Sequence, residues 1–94
     1  MEKAVVHVFK EFINKSDIEG FKAFLAELEE DDDGSTPWDY FFQKVYLHAC
    51  LKKCMPIVDL MTAKYNELDP ITQIAIRQVF PYGRHLLSLK TRAH

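Results

Sequence analysis

The chain has 94 residues, 48% of them hydrophobic and 28% charged, with twelve Lys and Arg against fourteen Asp and Glu. This predicts one globular domain, residues 1–94, and its net charge of −2 gives no overall attraction to nucleic acid or to an anionic membrane. No apolar stretch approaches the ~20 residues of a membrane span and no signal peptide is recognisable, so we expect an intracellular, cytoplasmic protein with reduced cysteines and no membrane partner.

The first third of the chain carries two apolar stripes at helical spacing. The first stripe predicts a helix over 2–14 and comprises Val5, Val8, Phe9, Phe12 and Ile13. Ser16 and Glu19 have the spacing of a capping box, which predicts that a second helix over 16–29 begins there. Because so few residues separate the two helices, they are expected to fold back as an antiparallel hairpin.

An acidic run over 29–33 separates this hairpin from a central helix. The run has no apolar residue, so we expect a solvated loop. Thr36 can cap the next helix and Pro37 suits its first turn. The central helix is predicted over 37–53, and its apolar residues are Trp38, Phe41, Phe42, Val45, Leu47, Ala49 and Cys50.

Two prolines divide the remainder of the chain. Pro56 would break a longer helix at a cost of about 3 kcal/mol, so a new helix is predicted over 56–66. Asp69 and Pro70 begin a helix over 70–80, and a short last helix is expected over 83–90. No segment alternates apolar and polar residues long enough for a strand. The prediction is an all-α fold of five or six short helices in antiparallel hairpins.

Three helix pairs in series invite comparison with repeat proteins. Segment 46–61 resembles an ankyrin repeat: Ala49-Cys50 matches the small pair of the first helix, and 57–61, Ile-Val-Asp-Leu-Met, matches the apolar stripe of the second. Lys53 and Cys54 stand where that family prefers Gly and His. The resemblance implies a degenerate ankyrin-like stack that binds another protein. A compact, non-repetitive helical bundle, or a death-fold-like bundle, explains the same pattern.

Segment 47–53 has a second resemblance. Its sequence, Leu-His-Ala-Cys-Leu-Lys-Lys, is similar to the central helix of the RNA-silencing suppressors of insect nodaviruses, which are helical dimers that lie along double-stranded RNA. This resemblance implies a viral homodimer in which Cys50 and Lys53 face phosphate. The chain departs from that pattern at Pro56, which would kink the long helix, and at Leu60, which stands where those proteins carry an essential Arg.

His48, Cys50 and Cys54 come nearest to a metal-binding set. A structural zinc site needs four ligands, and the next histidine, His85, belongs to another helix pair, so buried thiols that act as small hydrophobes are expected. The acidic run lacks the ligand spacing of a calcium loop. The sequence has no Gly-rich phosphate loop and no nucleophile elbow. We therefore expect no catalytic residue, cofactor or metal.

Basic and aromatic residues around the central helix are the candidate partner-binding residues. Lys44, His48 and Lys52 recur at four-residue spacing and therefore share one helix face. This face could contact the phosphates of a nucleic acid, or it could be an ordinary solvent-exposed face. The full candidate set is Trp38, Tyr40, Lys44, His48, Lys52, Lys53 and Tyr82. We predict a non-enzymatic protein-interaction module, a small adaptor or inhibitor. The alternative is a dimeric double-stranded RNA-binding protein that suppresses RNA silencing.

Overall fold

The structure, a computed structural model, describes residues 3–79 and forms five helices, with no strand in that range. They are α1 (Lys3–Asn14), α2 (Ile18–Glu30), α3 (Trp38–Phe41, Phe42–Tyr46 and Leu47–Leu51 without interruption), α4 (Met55–Glu67) and α5 (Pro70–Gln78). The all-α prediction is confirmed, and no helix in this range is long and apolar enough to cross a membrane. The helix predicted over 83–90 lies outside the described residues.

The first hairpin turns through a left-handed residue. Ser16 has φ 54°, its N–H donates to the carbonyl of Ile13 over 3.0 Å, and the Asp17 N–H donates to the carbonyl of Phe12 over 2.8 Å. These two bonds form a Schellman motif, which closes the end of α1. The Asp17 carboxylate then accepts from the Gly20 N–H over 3.0 Å and caps α2. The predicted capping role of Ser16 is therefore wrong, because Ser16 occupies the turn itself.

The second hairpin, between α3 and α4, repeats this turn. Lys53 has φ 57°, its N–H donates to the carbonyl of Cys50 over 3.1 Å, and the Cys54 N–H donates to the carbonyl of Ala49 over 3.0 Å. The next helix begins immediately, with Pro56 in its first turn, where a missing N–H leaves no hydrogen bond unmade. The predicted chain break before Pro56 is confirmed.

The acidic run ends in a hydrogen-bonded turn. The Thr36 hydroxyl donates to the Asp32 carboxylate over 2.8 Å, and the Gly34 N–H donates to the same oxygen over 2.9 Å. These bonds lower the pKa of Asp32 below its ordinary value. Thr36 is thus engaged with Asp32, and the N-cap of α3 is Pro37, which offers no capping side chain. The prediction that Thr36 caps this helix is wrong.

The start of α5 follows its predicted signal. The Asp69 carboxylate accepts from the Thr72 N–H over 3.1 Å and from the Thr72 hydroxyl over 2.6 Å. Pro70 occupies the first turn. From this start α5 packs against the first turn of α3 and contributes Ile76, which is fully buried, to the core.

An aromatic cluster forms the centre of the core. The ring of Phe9 meets the rings of Phe21, Phe24 and Phe41 edge-on, at centroid distances of 5.1, 4.9 and 4.9 Å. Edge-to-face rings combine apolar burial with a favourable quadrupole arrangement. The core thus joins α1, α2 and α3, and α3 is the most deeply buried helix. Its fully buried residues are Phe41, Phe42, Val45, Tyr46 and Ala49.

The middle of α3 is π-helical. The stretch Phe42–Tyr46 lies between two α-helical segments and widens the helix locally. Such π-helical turns are rare in proteins, and many of those known lie at functional sites. The apolar spacing did not predict this feature, because the alternation of buried and exposed residues fits an ordinary α-helix nearly as well.

Candidate functional site

A concave surface runs between α1 and α3, which lie side by side. It consists of two adjoining cavities, of about 350 and about 270 Å³, and both include Lys10 of α1 and Lys44 of α3. We call this surface the basic groove. Its lining residues are Lys3, Val6, His7, Lys10, Tyr40, Gln43, Lys44, Leu47, His48 and Leu51.

Helical spacing brings the α1 side of the groove together. Lys3, His7 and Lys10 are four and three residues apart, so they share one face of α1. Beside that face the buried residues Val6 and Phe9 hold α1 against the core. The basic face is therefore fixed in direction by the packing of its neighbours.

The α3 side of the groove includes the π-helical stretch. Gln43 and Lys44 belong to it, and both line the groove. The Lys44 ammonium lies 5.8 Å from the centroid of the Tyr40 ring, one turn earlier. A cation at that distance from an aromatic face is attracted by the ring. Lys44 is exposed and Tyr40 half-buried, so the ring supports the lysine at the edge of the groove.

Within residues 3–79, the lysines of the groove form no ion pair with a carboxylate. Among residues 3–79, the ion pairs are His7 with Glu11, at 3.6 Å, and Lys64 with Glu29, at 2.7 Å. Neither involves Lys3, Lys10 or Lys44. The groove therefore carries positive charge on a chain whose net charge is −2, while an acidic run occupies residues 29–33.

His48 closes one end of the groove. Its Nε2 lies 2.7 Å from the Asn14 Oδ1 atom at the end of α1. Partial burial lowers the pKa of His48, and the positive charges of Lys10 and Lys52 lower it further, against a smaller opposing effect of Glu11. The neutral imidazole is favoured, so the lysines supply the positive charge at this end.

An exposed apolar side chain lies at the same end. Leu51, which lines the groove, is 63% exposed. Leu47, one turn before Leu51, is half-buried in the groove wall. Large exposed apolar side chains of this kind mark interaction surfaces when they occur together and beside polar residues.

The predicted partner-binding residues are only partly brought together. Tyr40, Lys44 and His48 line the groove, and Lys52 acts on His48 through its charge. Lys53 is exposed in the second turn. Trp38 stands apart from the groove because it belongs to the core, where its ring packs on Phe41. Tyr82 lies outside the described residues.

Sequence reasoning missed the contribution of α1. Lys3, His7 and Lys10 were not among the predicted residues, although their spacing on one helix face could have revealed a basic stripe. Nothing in the sequence indicated that this stripe would lie against Lys44, because the two segments are far apart along the chain.

The cysteines contribute to packing. Cys54 is buried in the second turn, and burial raises the pKa of the half-buried Cys50 thiol, opposed by a hydrogen bond with Tyr46. Over residues 3–79, no three His, Cys, Asp or Glu side chains come together as a metal ion would require. The chemical groups of the groove, ammonium ions beside apolar side chains, suit a ligand that is both anionic and apolar.

No protein-family model matches the sequence, and comparison with curated proteins and with solved structures gave no significant match. The geometry of the groove is therefore the basis for assigning a function.

Proposed function

We propose that the chain is a non-enzymatic protein-interaction module, a small adaptor or inhibitor, that binds its partner in the basic groove. The observation that carries this proposal is that an exposed leucine shares one concave surface with lysines that form no ion pair within residues 3–79. Lys10 and Lys44 line both of its cavities, and Leu51 is 63% exposed at one end. Protein interfaces combine apolar contacts with polar groups, and this surface offers both.

The order of the hairpins supports a degenerate ankyrin-like stack as the frame of this module. Ser16 and Lys53 occupy the same left-handed position in two successive hairpins. In the ankyrin-like alignment, Lys53 stands where the family prefers Gly, and a left-handed backbone is where Gly costs least. A hairpin stack of this kind binds partners through surface side chains.

A second candidate function is binding of double-stranded RNA by a dimer. The supporting observation is the set of positive charges on and beside the groove, Lys10, Lys44 and Lys52, which could neutralise phosphates. The protein partner is favoured because the exposed Leu51 of the groove has no role against a phosphate backbone. In addition, α3 ends at Leu51 and does not provide one long platform.

Affinity capture with three forms of the chain as bait tests the protein-interaction proposal. We expect the wild type and Lys22→Glu to retain the same partner, because Lys22 is exposed on α2, away from the groove. The double variant Lys10→Glu/Lys44→Glu reverses the charge on both walls and should lose that partner. Equal capture by all three forms would contradict the proposal.

A gel shift separates the second candidate from the first. The probe is a double-stranded RNA of roughly two helical turns, at low and moderate salt, with the solution mass of the protein measured in parallel. A salt-sensitive shift by a dimer, lost in Lys10→Glu/Lys44→Glu but kept in Lys22→Glu, would favour RNA. Without such a shift, the protein-interaction proposal is preferred.

A further inference from the structure

We infer that the partner presents an acidic amphipathic α-helix, which lies along the basic groove with its apolar face on Leu47 and Leu51 and its carboxylates toward Lys10 and Lys44. This inference rests on the proposed function and specifies the partner of the same groove. It follows from the shape of the groove, from the placement of its charges and from its apolar end.

The shape of the groove fits a helix. Its walls are two helices packed side by side, and a third helix can rest between them as a partner helix rests in other helical grooves. On α3 the lining runs from Tyr40 to Leu51. At about 1.5 Å per residue, that separation is about 16 Å, which corresponds to roughly three turns of a bound helix.

The charges lie on both walls. Lys10 projects from α1 and Lys44 from α3, and each contributes to both cavities, so they flank the middle of the groove. A bound helix would meet them with carboxylates on both sides of its apolar stripe. Exposed ion pairs are individually weak, so each contact mainly sets orientation and association rate. Reversing both lysines replaces attraction by repulsion on both walls and therefore lowers affinity as well.

The apolar end of the groove, Leu47 and Leu51, would stay uncovered if the ligand made only ionic contacts. Leu51 is 63% exposed, and Leu47, one turn earlier, extends the apolar surface into the groove. Leucine and methionine side chains at i, i+3 and i+4 of a partner helix could cover them. This need for apolar contact is the reason for preferring an amphipathic helix to a polyanion.

The test uses two synthetic peptides of roughly 18 residues, each about five helical turns long. One places Leu at i, i+3, i+4 and i+7 with Glu on both sides, and the other has the same composition with the Leu positions scrambled. Binding to the ¹⁵N-labelled chain is followed by NMR chemical-shift changes. We expect the striped peptide to shift the amide signals of Lys10, Lys44 and Leu51, with an affinity about tenfold above that of the scrambled peptide.

Three variants connect this binding to the groove. Lys10→Glu/Lys44→Glu should weaken the striped peptide by about tenfold or more, and Leu51→Ser should reduce its advantage over the scrambled peptide. Lys22→Glu should bind as the wild type does. Circular dichroism identifies any variant that has lost its helices, and Lys44→Gln then replaces Lys44→Glu as the milder change.

Several results would overturn the inference. Equal binding of both peptides in the groove would mean that charge alone selects the ligand. If the peptide leaves the NMR signals of the groove unchanged while capture of the partner still depends on Lys10 and Lys44, the acidic helix is refuted and the proposed function stands. If the peptide bound outside the groove and Lys10→Glu/Lys44→Glu captured the partner as well as the wild type does, both proposals would fail. Displacement of the striped peptide by double-stranded RNA at moderate salt would support the second candidate instead.

Discussion

The Asn14 side-chain oxygen lies 2.7 Å from the Nε2 atom of His48, although the two residues are 34 positions apart in the sequence. The neutral imidazole donates this hydrogen bond from Nε2 to the amide oxygen. The bond joins the last turn of α1 to the last segment of α3, and so connects the first hairpin to the second. It holds the two walls of the basic groove together at one end.

Stability is expected to fall as the pH is lowered through the range in which His48 titrates. The folded structure lowers the pKa of His48 below its ordinary value of 6.5, mainly through burial and then through Lys10 and Lys52. Below about pH 6.5 the unfolded chain therefore binds more protons than the folded chain does, so protonation favours unfolding. The effect is complete once the pH is below the folded pKa.

Urea denaturation at about pH 8 and about pH 5.5 measures this effect. We expect the wild type to lose more unfolding free energy between these pH values than His48→Gln, which keeps an N–H donor but cannot titrate. The other histidines are common to both proteins and cancel in the comparison. Parallel losses in the two proteins would show that His48 does not contribute to the pH dependence.

Gly20→Ala should destabilise the chain by about 1–3 kcal/mol. A Cβ atom at this position would lie 2.5 Å from the Asp17 carboxylate and 2.7 Å from the Phe12 ring. In most helices Gly→Ala raises the free energy of unfolding, because Ala is favoured over Gly by about 1 kcal/mol. Here the change is expected to lower it. Thermal or urea unfolding measures the change. A stabilised Gly20→Ala variant would mean that Phe12 and Asp17 move aside without cost.

Lys53→Gly should stabilise the chain by about 1 kcal/mol. Lys53 has φ 57°, and a left-handed backbone costs a residue with a side chain roughly 1–2 kcal/mol. Glycine avoids this cost, but it loses more conformational entropy on folding, which offsets part of the gain. Ser16→Gly is the matched control, because Ser16 has the same conformation without a charge. Both variants are measured by urea denaturation, and a loss of stability in either would contradict the expected relief of strain.

The same pair of variants also bears on RNA. If the chain binds double-stranded RNA through Lys53, Lys53→Gly should weaken binding while Ser16→Gly leaves it unchanged. A protein partner in the basic groove predicts that neither variant affects capture, because Lys53 does not line the groove. If Lys53→Gly gains stability but binds RNA more weakly, the loss of binding cannot result from unfolding.

Phe9→Ala should cost about 3–5 kcal/mol. Phe9 is fully buried, and its ring contacts aromatic rings from both α2 and α3. A chain of this size has only about 5–14 kcal/mol of stability in total, so the variant should approach the unfolding threshold at room temperature. Phe24→Ala is the control. Phe24 is half-buried and should cost less, and equal costs would show that Phe9 is not the centre of the core.

Local signals in the sequence were sufficient for the helices. The apolar stripe that includes Phe9, the proline at position 56 and the Asp69–Pro70 start each act over one or two turns. Each of the five helices within residues 3–79 was therefore predicted to within two residues of its observed ends. The errors were also local. Ser16 and Thr36 are both good capping residues, but Asp17 and Asp32 form the competing hydrogen bonds.

The sequence by itself determined the all-α class, the number of helices over the described range and the position of the hairpin turns, because hydrogen bonding, apolar spacing and proline sterics act between near neighbours. Only the tertiary structure decided that Trp38 is buried while Tyr40 borders a groove, and that Lys10 and Lys44 face the same cavity. Those outcomes depend on how whole helices pack. Side-chain volumes from distant segments set that packing, and no local pattern encodes it.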